Sequence, residues 1–453
     1  MPERPNVVFL FADDQRFDTI AALNNDRIAT PNLDALVADG VAFDNACIMG
    51  GSSPAVCMPS RAMLHSGRGL WEIAGQGQQI PLDHATLGET FRKAGYTTFA
   101  TGKWHNGTES FNRSFSHGGA IFFGGMSDHW NVPLHEYDPT GQYTGEHSQV
   151  LSGRHSTDLL SEAACGFLDE MGSADDPFLM YVSYLAPHDP RETHKRYHDL
   201  YAPASIELPG NFMPQHPFNN GEMVIRDELL AGFPRTERDV QRHIGEYYAM
   251  ITHVDESIGQ VVAKLKETGQ YDNTVIVFAG DNGLAVGRHG LMGKQSCYDH
   301  SVHVPLIFAG PGLPKGQRRS QLAYLHDIFP TLCDLAGVDT PPSVTSRSLA
   351  GPLAGESAEG RSELLFAYRH LHRAATDGRF KLIENVVLGW RTTQLFDLQA
   401  DPLERNNLAA EAEYAAPLAE LRQSLQQWRD EWGDTQEMGQ AFWGGYDLWP
   451  HRA

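Results

Sequence analysis

The sequence predicts an α/β fold: a large, mostly parallel central sheet flanked by helices, followed by a smaller C-terminal α+β domain with a short antiparallel sheet. Three observations support this prediction: a series of short, continuous apolar runs, a long amphipathic helix between two of them, and a proline-rich break in the last quarter of the chain. A chain of 453 residues is also too long for one compact core, which fits two domains.

The apolar runs are interpreted as buried strands because they are continuous rather than alternating. They occupy residues 6–12, 96–100, 178–184, 274–279 and 304–309. Parallel strands with helices on both faces have such sequences. We therefore expect these strands to pair in parallel.

The amphipathic helix is predicted over residues 242–268. Apolar residues recur there every three or four positions, as on one face of a helix, and Gly269 follows as a stop signal. These positions are Tyr247, Ile251, Val254, Ile258, Val261 and Leu265. Helices between strands are typical of a sheet covered on both faces.

The proline-rich break, Thr340-Pro341-Pro342, separates a predicted catalytic domain (1–342) from a C-terminal domain (343–453). Beyond the break, short strands are predicted at 364–368, 380–385 and 394–398, and a helix at 410–432. This order of elements predicts a small α+β unit.

Composition excludes several functional classes. The chain carries 35 basic and 57 acidic side chains, a net charge of -22, which argues against nucleic-acid binding. Its five cysteines form no CxxC pair, so neither a zinc ribbon nor a disulfide framework is indicated. No apolar run is long enough for a bilayer. We expect a cytoplasmic protein as the chain is given, and a periplasmic or secreted one if a leader was trimmed.

Ionisable and amide side chains follow four of the predicted strands. These groups are Asp13 and Asp14 after the first strand, Lys103 and His105 after the second, His188 after the third, and Asp281 and Asn282 after the fourth. Ligands bind beyond the carboxyl ends of strands in open α/β sheets. The sequence therefore predicts one site at this edge.

Four of these side chains offer oxygen ligands: Asp13, Asp14, Asp281 and Asn282. An isolated Asp pair is more often a cap or turn former. Two such pairs, each directly after a buried strand, favour a site for a hard cation such as calcium or magnesium.

The segment Cys57-Met58-Pro59-Ser60-Arg61 predicts a reactive position. Pro59 is suited to a first helical turn, which would place Cys57 at a helix N-terminus, where anions are stabilised. Arg61, one turn later, can direct a guanidinium to the same place. The alternative is a buried structural cysteine, which is the commonest role of a lone Cys.

Lys103, His105, His188 and Lys294 add cationic or proton-donating groups. Either histidine could instead be a hydrogen-bonded core residue, and Lys294 a surface lysine. The contexts Lys103-Trp104-His105 and Pro187-His188-Asp189-Pro190 favour a role in the site.

Taken together, these motifs resemble those of the type I sulfatases of the alkaline-phosphatase superfamily, over nearly the whole chain. The segment from Cys57 to Arg68 resembles the signature Cys-x-Pro-Ser-Arg-Ala-x-Leu-x-x-Gly-Arg. The other matching segments are Phe11-Ala12-Asp13-Asp14-Gln15, Gly102-Lys103-Trp104-His105, Pro187-His188-Asp189-Pro190, Gly280-Asp281-Asn282-Gly283, Gly293-Lys294 and Leu395-Phe396-Asp397-Leu398.

The resemblance implies an alkaline-phosphatase-like fold, calcium on the four oxygen ligands, and conversion of Cys57 to formylglycine by a separate maturation enzyme. Its hydrated aldehyde would attack sulfur. Arg61, Lys103 and Lys294 would stabilise charge, His188 with Lys294 would protonate the leaving oxygen, and His105 would deprotonate the second hydroxyl.

Two alternatives stay open. A phosphonate monoester or phosphodiester hydrolase of the same superfamily shares the Cys57 signature, although Lys103, His105 and the Asp281-Asn282 pair favour sulfate. A non-catalytic protein that binds sulfated glycans is the other. For the expected substrate, a small sulfated molecule and most simply a saccharide, the candidate binding residues are Trp104, His129, Trp130, Arg191 and His194. The competing interpretation of these loop residues is that they are anchors or solvated.

Overall fold

The structure is a computed structural model and describes residues 4–145, 148–150, 153–172, 174, 176–355 and 360–448. Its strands are β1 (Asn6–Ala12), β2 (Gly40–Cys47), β3 (Gly50–Gly51), β4 (Thr97–Lys103), β5 (His117–Phe122), β6 (Pro133–His135), β7 (Ser148–Val150), β8 (Phe178–Tyr184), β9 (Thr274–Gly280), β10 (Leu306–Ala309), β11 (Gln317–Tyr324), β12 (Leu364–Tyr368), β13 (His372–Thr376), β14 (Phe380–Val387) and β15 (Trp390–Asp397).

The helices cover both faces of the large sheet and pack on the small one. They are α1 (Pro31–Asp39), α2 (Cys57–Ser66), α3 (Leu87–Lys93), α4 (Thr108–Ser114), α5 (Ser156–Met171), α6 (Lys195–His198), α7 (Glu237–Glu267), α8 (Asp299–Val302), α9 (Ile328–Ala336), α10 (Ala350–Ala354), α11 (Ala415–Glu431) and α12 (Met438–Leu448).

Within the described residues, ten strands form a mixed sheet in the order β11-β2-β10-β9-β1-β8-β4-β5-β6-β7. Its centre, from β9 to β5, is parallel, as predicted. The predicted strand at 304–309 differs in direction from the expected parallel pairing, because β10 runs antiparallel to both β2 and β9. A continuous apolar run shows only that both faces are covered, which holds for a buried antiparallel strand too.

The central strand β1 explains why the sequence patterns look continuous. Val7, Phe9 and Phe11 belong to one apolar core, while Val8 and Leu10 belong to another on the opposite face. Side chains of successive residues in a strand point to opposite faces, so a sheet with two covered faces needs apolar residues at every position. Helices α1, α5 and α7 cover one face, and α2, α3 and α9 cover the other.

Helix α7 begins five residues before the predicted start. The Thr236 side chain accepts a hydrogen bond from the backbone N–H of Asp239 and caps the helix. The added turn contains Glu237 and Asp239, which suit the positive end of the helix dipole. The apolar spacing used for the prediction does not reach this polar first turn.

The second sheet has the order β15-β14-β13-β12-β3, and its four strands after residue 360 are antiparallel. The predicted α/β architecture with a smaller antiparallel sheet is therefore confirmed. Strand β3 comes from the N-terminal part and pairs in parallel with β12. The boundary at 343 stays a prediction. Over the described ranges, no helix combines the length and the apolar sequence needed to cross a bilayer.

Candidate active site

Four adjacent strands deliver the predicted site residues to one edge of the large sheet. Strands β9, β1, β8 and β4 are neighbours in that order. Asp281 follows β9, Asp13 follows β1, His188 lies four residues beyond β8, and Lys103 ends β4. Because these strands are parallel, their carboxyl ends meet, and the side chains form one buried cluster.

The acidic part of the cluster is tightly connected. The backbone N–H of Asp14 donates to Asp281 Oδ1 at 2.9 Å, and Asn282 Nδ2 donates to Asp14 Oδ1 at 2.7 Å. Asp13 Oδ1 and Asn282 Oδ1 are buried and have no hydrogen-bond partner. Buried oxygens without a partner are costly. Two such oxygens beside three carboxylates fit a hard cation with oxygen ligands.

The electrostatics of the cluster are consistent with a cation. Burial and the neighbouring Asp13 raise the pKa of Asp281 to about 7, against the opposing effect of Arg61. Burial alone would also raise the pKa of Asp13, but Lys103 reverses this and lowers it. The three carboxylates face Arg61, Lys103 and Lys294. A bound divalent cation would thus leave the cluster positive and attractive to an anionic ester.

Cys57 begins α2, as predicted, and is only 2% exposed. Its Sγ lies 3.3 Å from Lys103 Nζ and 3.5 Å from His105 Nδ1. Burial raises the pKa of the thiol, and the neighbouring Lys103 opposes this. Asp13 also reaches the thiol, because Asp13, Cys57 and Asp281 each place one ligand atom within 4.8 Å of the others. Position 57 therefore joins the acidic and basic groups.

Arg61 extends from the second turn of α2 into the cluster. Its Nε donates to Asp281 Oδ2 at 2.9 Å, and its Nη1 donates to Ser183 Oγ at 2.6 Å and to Tyr181 Oη at 3.3 Å. Its Nη2 is buried without a hydrogen-bond partner. The sequence analysis missed Tyr181 and Ser183. Two polar residues at alternate positions of a buried strand are the signal that could have identified them.

Two non-glycine residues of the cluster have a left-handed backbone, with φ of 67° at Asp14 and 74° at His105. Such conformations are uncommon and concentrate at functional sites. Burial, with Lys103 and Arg61, lowers the pKa of His105 to about 2. The imidazole is therefore neutral at ordinary pH.

His188 lies next to the acidic cluster, and its ligand atom is within 4.8 Å of those of Asp13 and Asp14. Its Nε2 is 3.8 Å from Asp14 Oδ2, and its Nδ1 is 2.7 Å from the carbonyl oxygen of Asp189. Its own carbonyl lies 2.9 Å from His129 Nε2. Arg226 forms a two-point ion pair with Asp189. These contacts fix the orientation of the His188 ring.

Lys294 donates to Asp14 Oδ1 at 2.5 Å. Burial alone would lower its pKa, but Asp14 raises it well above the usual value, so the side chain is charged. Its backbone N–H donates to Gln295 Oε1, and Gln295 Nε2 donates to Asp227 at 2.7 Å. The sequence analysis missed Gln295 and Asp227, because only the folded loops bring them together.

The five residues predicted to bind substrate lie in different places. Trp104 is 1% exposed, its Nε1 donates to Ser110 Oγ at 3.0 Å, and its ring packs in the apolar core. Burial does not exclude a role, because Lys103 in the site is 0% exposed, so substrate contact by Trp104 stays a prediction. His129 is buried behind His188.

The other three lie near the loop that follows His188. Arg191 is 7% exposed and contacts His243 Nδ1 at 2.8 Å, while its Nε and Nη2 have no hydrogen-bond partner. The rings of Trp130 and His194 are 5.0 Å apart and belong to a separate cluster of histidines. Substrate contact by these three side chains stays a prediction.

Comparisons with known proteins agree with this geometry. The family model described as Sulfatase matches residues 5–338, and one described as N-sulphoglucosamine sulphohydrolase, C-terminal, matches residues 287–431. An N-acetylglucosamine-6-O-sulfatase of Bacteroides thetaiotaomicron is 26% identical over 512 residues, covering 96% of this chain and 88% of that protein. An ulvan-active sulfatase of Formosa agariphila is 28% identical over 459 residues, covering 96% and 82%.

A solved structure is also similar over its full length. It is a complex of a protein with its substrate D-glucosamine-2-N,6-O-disulfate, with a TM-score of 0.81 and 25% identity, covering 96% of this chain and 99% of that one. Its match extends over both sheets, and the Sulfatase model spans the cluster residues Asp13, Cys57, Lys103, His188 and Asp281. The chain belongs to the sulfatase family and is a sulfuric ester hydrolase.

Proposed function

We propose that this chain is a calcium-dependent sulfatase that hydrolyses sulfated saccharides and requires formylglycine at position 57. The position of Cys57 supports the proposal most directly. It lies at a helix N-terminus, with its Sγ between Lys103 Nζ and His105 Nδ1 and next to the acidic cluster. A maturation enzyme would supply the aldehyde.

A hydrated aldehyde at position 57 supplies one hydroxyl that can attack sulfur and a second that allows sulfate to leave. Lys103, 3.3 Å from the sulfur atom of Cys57, stabilises negative charge at this position. His105 is held 3.5 Å away in its neutral form and accepts the proton of the second hydroxyl.

Asp13, Asp14, Asp281 and Asn282 are the residues that would hold calcium, and two of their oxygens have no other partner. Bound calcium would polarise a sulfate oxygen and make a coordinated hydroxyl more acidic. Arg61 keeps Asp281 in place through its Nε, and its Nη2, 3.9 Å from Asp13 Oδ2, has no hydrogen-bond partner and can donate to an anion.

His188 is proposed to protonate the departing oxygen. Its contact with the Asp189 carbonyl fixes the ring and leaves Nε2 on the side of Asp14. Lys294, bound to Asp14, adds positive charge on the same side. Proton donation at this point removes the negative charge that would otherwise develop on a sugar alkoxide.

A saccharide is the proposed substrate class because of the relatives. One is named for N-acetylglucosamine-6-O-sulfate, one for ulvan, and a similar structure contains glucosamine disulfate. In this chain, Arg191 has two donor nitrogens without partners near the His188 loop, which suits a further anionic group on a sugar.

Peptide mass spectrometry across Cys57, combined with assays of sulfate and phosphate release from aryl esters, tests the proposal. We expect a mass change for thiol-to-aldehyde conversion and sulfate release that is lost in Cys57→Ala. Complete conversion with phosphate release and no sulfate release would instead support the phosphonate or phosphodiester hydrolase.

Calcium can be tested without activity. We expect calcium to raise the thermal unfolding midpoint of the protein, because a ligand that binds only the folded state stabilises it. Asp281→Asn should reduce this shift, whereas Asp272→Asn, in the turn before β9, should retain it. An equal shift in both variants would contradict the proposed ligands.

A further inference from the structure

A second cluster of imidazoles and a carboxylate lies outside the catalytic cluster. His155 immediately precedes α5, Asp158 lies in its first turn, His194 precedes α6, and His253 lies in the middle of α7. In the part of the chain that the structure describes, three groups have ligand atoms close enough for one ion, and two of them contain Asp13. The third combines His155, Asp158 and His253.

The three imidazoles surround the Asp158 carboxylate. His253 Nε2 is 2.9 Å from Asp158 Oδ1, and His194 Nε2 is 2.8 Å from Asp158 Oδ2. The ring centroid of His155 lies 4.7 Å from the ring centroid of His253 and 5.9 Å from that of His194. Donor atoms of a tetrahedral zinc site lie about 3.3 Å apart, given bonds of about 2.0–2.1 Å. The His253–Asp158 pair needs to open by only about 0.5 Å to reach this spacing, and His155 has a ligand atom within 4.8 Å of both. His194 contacts the other carboxylate oxygen and lies outside this group.

The outer nitrogens of two rings already have the partners that metal-binding histidines need. His155 Nε2 is 3.0 Å from the Glu192 carbonyl oxygen, which can only accept, so this nitrogen carries the proton and Nδ1 keeps its lone pair. That lone pair now accepts a 3.2 Å hydrogen bond from the Thr157 N–H. His253 Nδ1 is 2.8 Å from Thr193 Oγ1. Such contacts orient the ring and fix its tautomer.

The hydrogen bonds also indicate which ring nitrogens carry protons. Because the Asp158 carboxylate accepts the 2.9 Å hydrogen bond from His253, Nε2 of this ring carries the proton, and zinc binding there would release it.

The cluster is reachable from solvent on one side. The side chains of Asp158 and His194 are 29% and 37% exposed, whereas His155 and His253 are buried. The Trp130 ring lies 5.0 Å from the rings of both His155 and His194 and covers part of this opening. An ion could therefore enter past His194, and water could occupy a remaining coordination position.

From this arrangement we propose that Asp158, His155 and His253 form a second metal site, for zinc or a similar transition metal, completed by His194 when its ring and the Asp158 carboxylate turn towards the ion. The ligands are mostly nitrogen, so the site would discriminate against calcium, which takes oxygen ligands. The bound ion would connect α5, α7 and the loop that carries His188. The inference is independent of the sulfatase chemistry.

Calorimetric titration of the calcium-saturated protein with Zn²⁺ tests the proposal. Calcium occupies the oxygen ligands, so zinc binding reports nitrogen-rich sites. We expect one zinc site, weakened at least 10-fold in Asp158→Asn and in His253→Gln. His117→Gln, which removes an exposed histidine on β5, should bind like the unaltered protein.

Two further variants make the outcome decisive. Cys57→Ala should retain zinc binding, which excludes the thiol next to Asp13 and Asp281 as the binding group. His194→Gln changes a partly exposed ligand, so it should fold normally and still bind zinc more weakly. No zinc binding by the calcium-saturated protein, or equal binding by all three cluster variants, would overturn the proposal.

Discussion

The catalytic cluster differs from the buried polar cluster around Glu384 in the C-terminal sheet, called the C-terminal cluster below. The difference lies in how many of their buried polar atoms have hydrogen-bond partners. In the C-terminal sheet, both oxygens of Glu384 accept hydrogen bonds, from Arg391 at 2.9 and 3.1 Å, from Arg422 at 2.9 Å and from Thr393 at 2.6 Å. In the catalytic cluster, Asp13 Oδ1, Asn282 Oδ1 and Arg61 Nη2 are buried and have no hydrogen-bond partner.

This difference in hydrogen-bond pairing indicates that the two clusters have different roles. A fully paired buried carboxylate stabilises one packing arrangement, here β14 against β15 and α11. Buried atoms without partners lower stability unless a ligand pairs with them. The backbone strain at Asp14 and His105 belongs to the same cluster. We therefore expect mutations in the two clusters to separate activity from stability.

The largest separation is expected for Cys57→Ala. Loss of the nucleophile should reduce kcat/KM for an aryl sulfate by about 10⁴-fold or more. The free energy of unfolding in urea should change by no more than about 1 kcal/mol, because the side chain is small. An active Cys57→Ala protein would remove position 57 from the mechanism.

The loss of kcat/KM in His188→Gln should depend on the substrate, which sharpens the comparison. For a sugar sulfate, whose leaving oxygen needs a proton, kcat/KM should fall by about 10²–10⁴-fold. For an aryl sulfate with an acidic phenol, the loss should be much smaller. His198→Gln, in α6, is the control for a general effect of histidine replacement. Equal losses on both substrates would contradict proton donation by His188.

The C-terminal cluster should show the opposite behaviour. Glu384→Gln leaves Arg391 and Arg422 without their carboxylate and should lower the free energy of unfolding by about 3 kcal/mol. The kcat of the folded fraction should stay unchanged. Gln423→Ala, on the exposed side of α11, serves as the matched control in urea titrations. Loss of kcat without loss of stability would invalidate the distinction.

The last prediction concerns the pH dependence of stability. Burial is the main cause that lowers the pKa of His216 to about 4 and that of His289 to about 3. Because an unfolded histidine titrates near 6.5, the unfolded chain binds protons that the folded chain does not. The stability that the fold gains from burying these two neutral rings is therefore complete above pH 6.5, and it is lost as pH falls towards 4.

For each of these histidines, the free energy of unfolding should fall by about 1.4 kcal/mol for every unit by which pH decreases well below 6.5. Urea titrations at several pH values measure this slope, and His289→Asn should flatten it. Stability that is constant between pH 7 and pH 5 would contradict the prediction.

Much of the catalytic cluster could be predicted because its information is local. Asp13, Lys103, His188 and Asp281 each follow a buried strand, and parallel strands bring their ends together. The direction of β10 could not be predicted, because burial gives no information on strand direction.

The supporting residues depend on long-range packing. Ser183 meets Arg61 only because of the position of β8 beside β4, and Asp227 meets Gln295 only when two loops fold together. Substrate contact by Trp130 and His194 stays a prediction. His194 contacts Asp158, which also contacts His253 of α7, and no local pattern in the sequence indicates this cluster.

The burial of Cys57 has a consequence for how the protein is produced. Its side chain is 2% exposed at the start of a helix whose residues are all buried. Under the proposed function, an enzyme that converts Cys57 would have to reach it before this helix packs. Aldehyde formation would then compete in time with folding of the new chain. Molecules that fold first would keep the thiol, so the active fraction of a preparation would depend on the rate of conversion relative to the rate of folding.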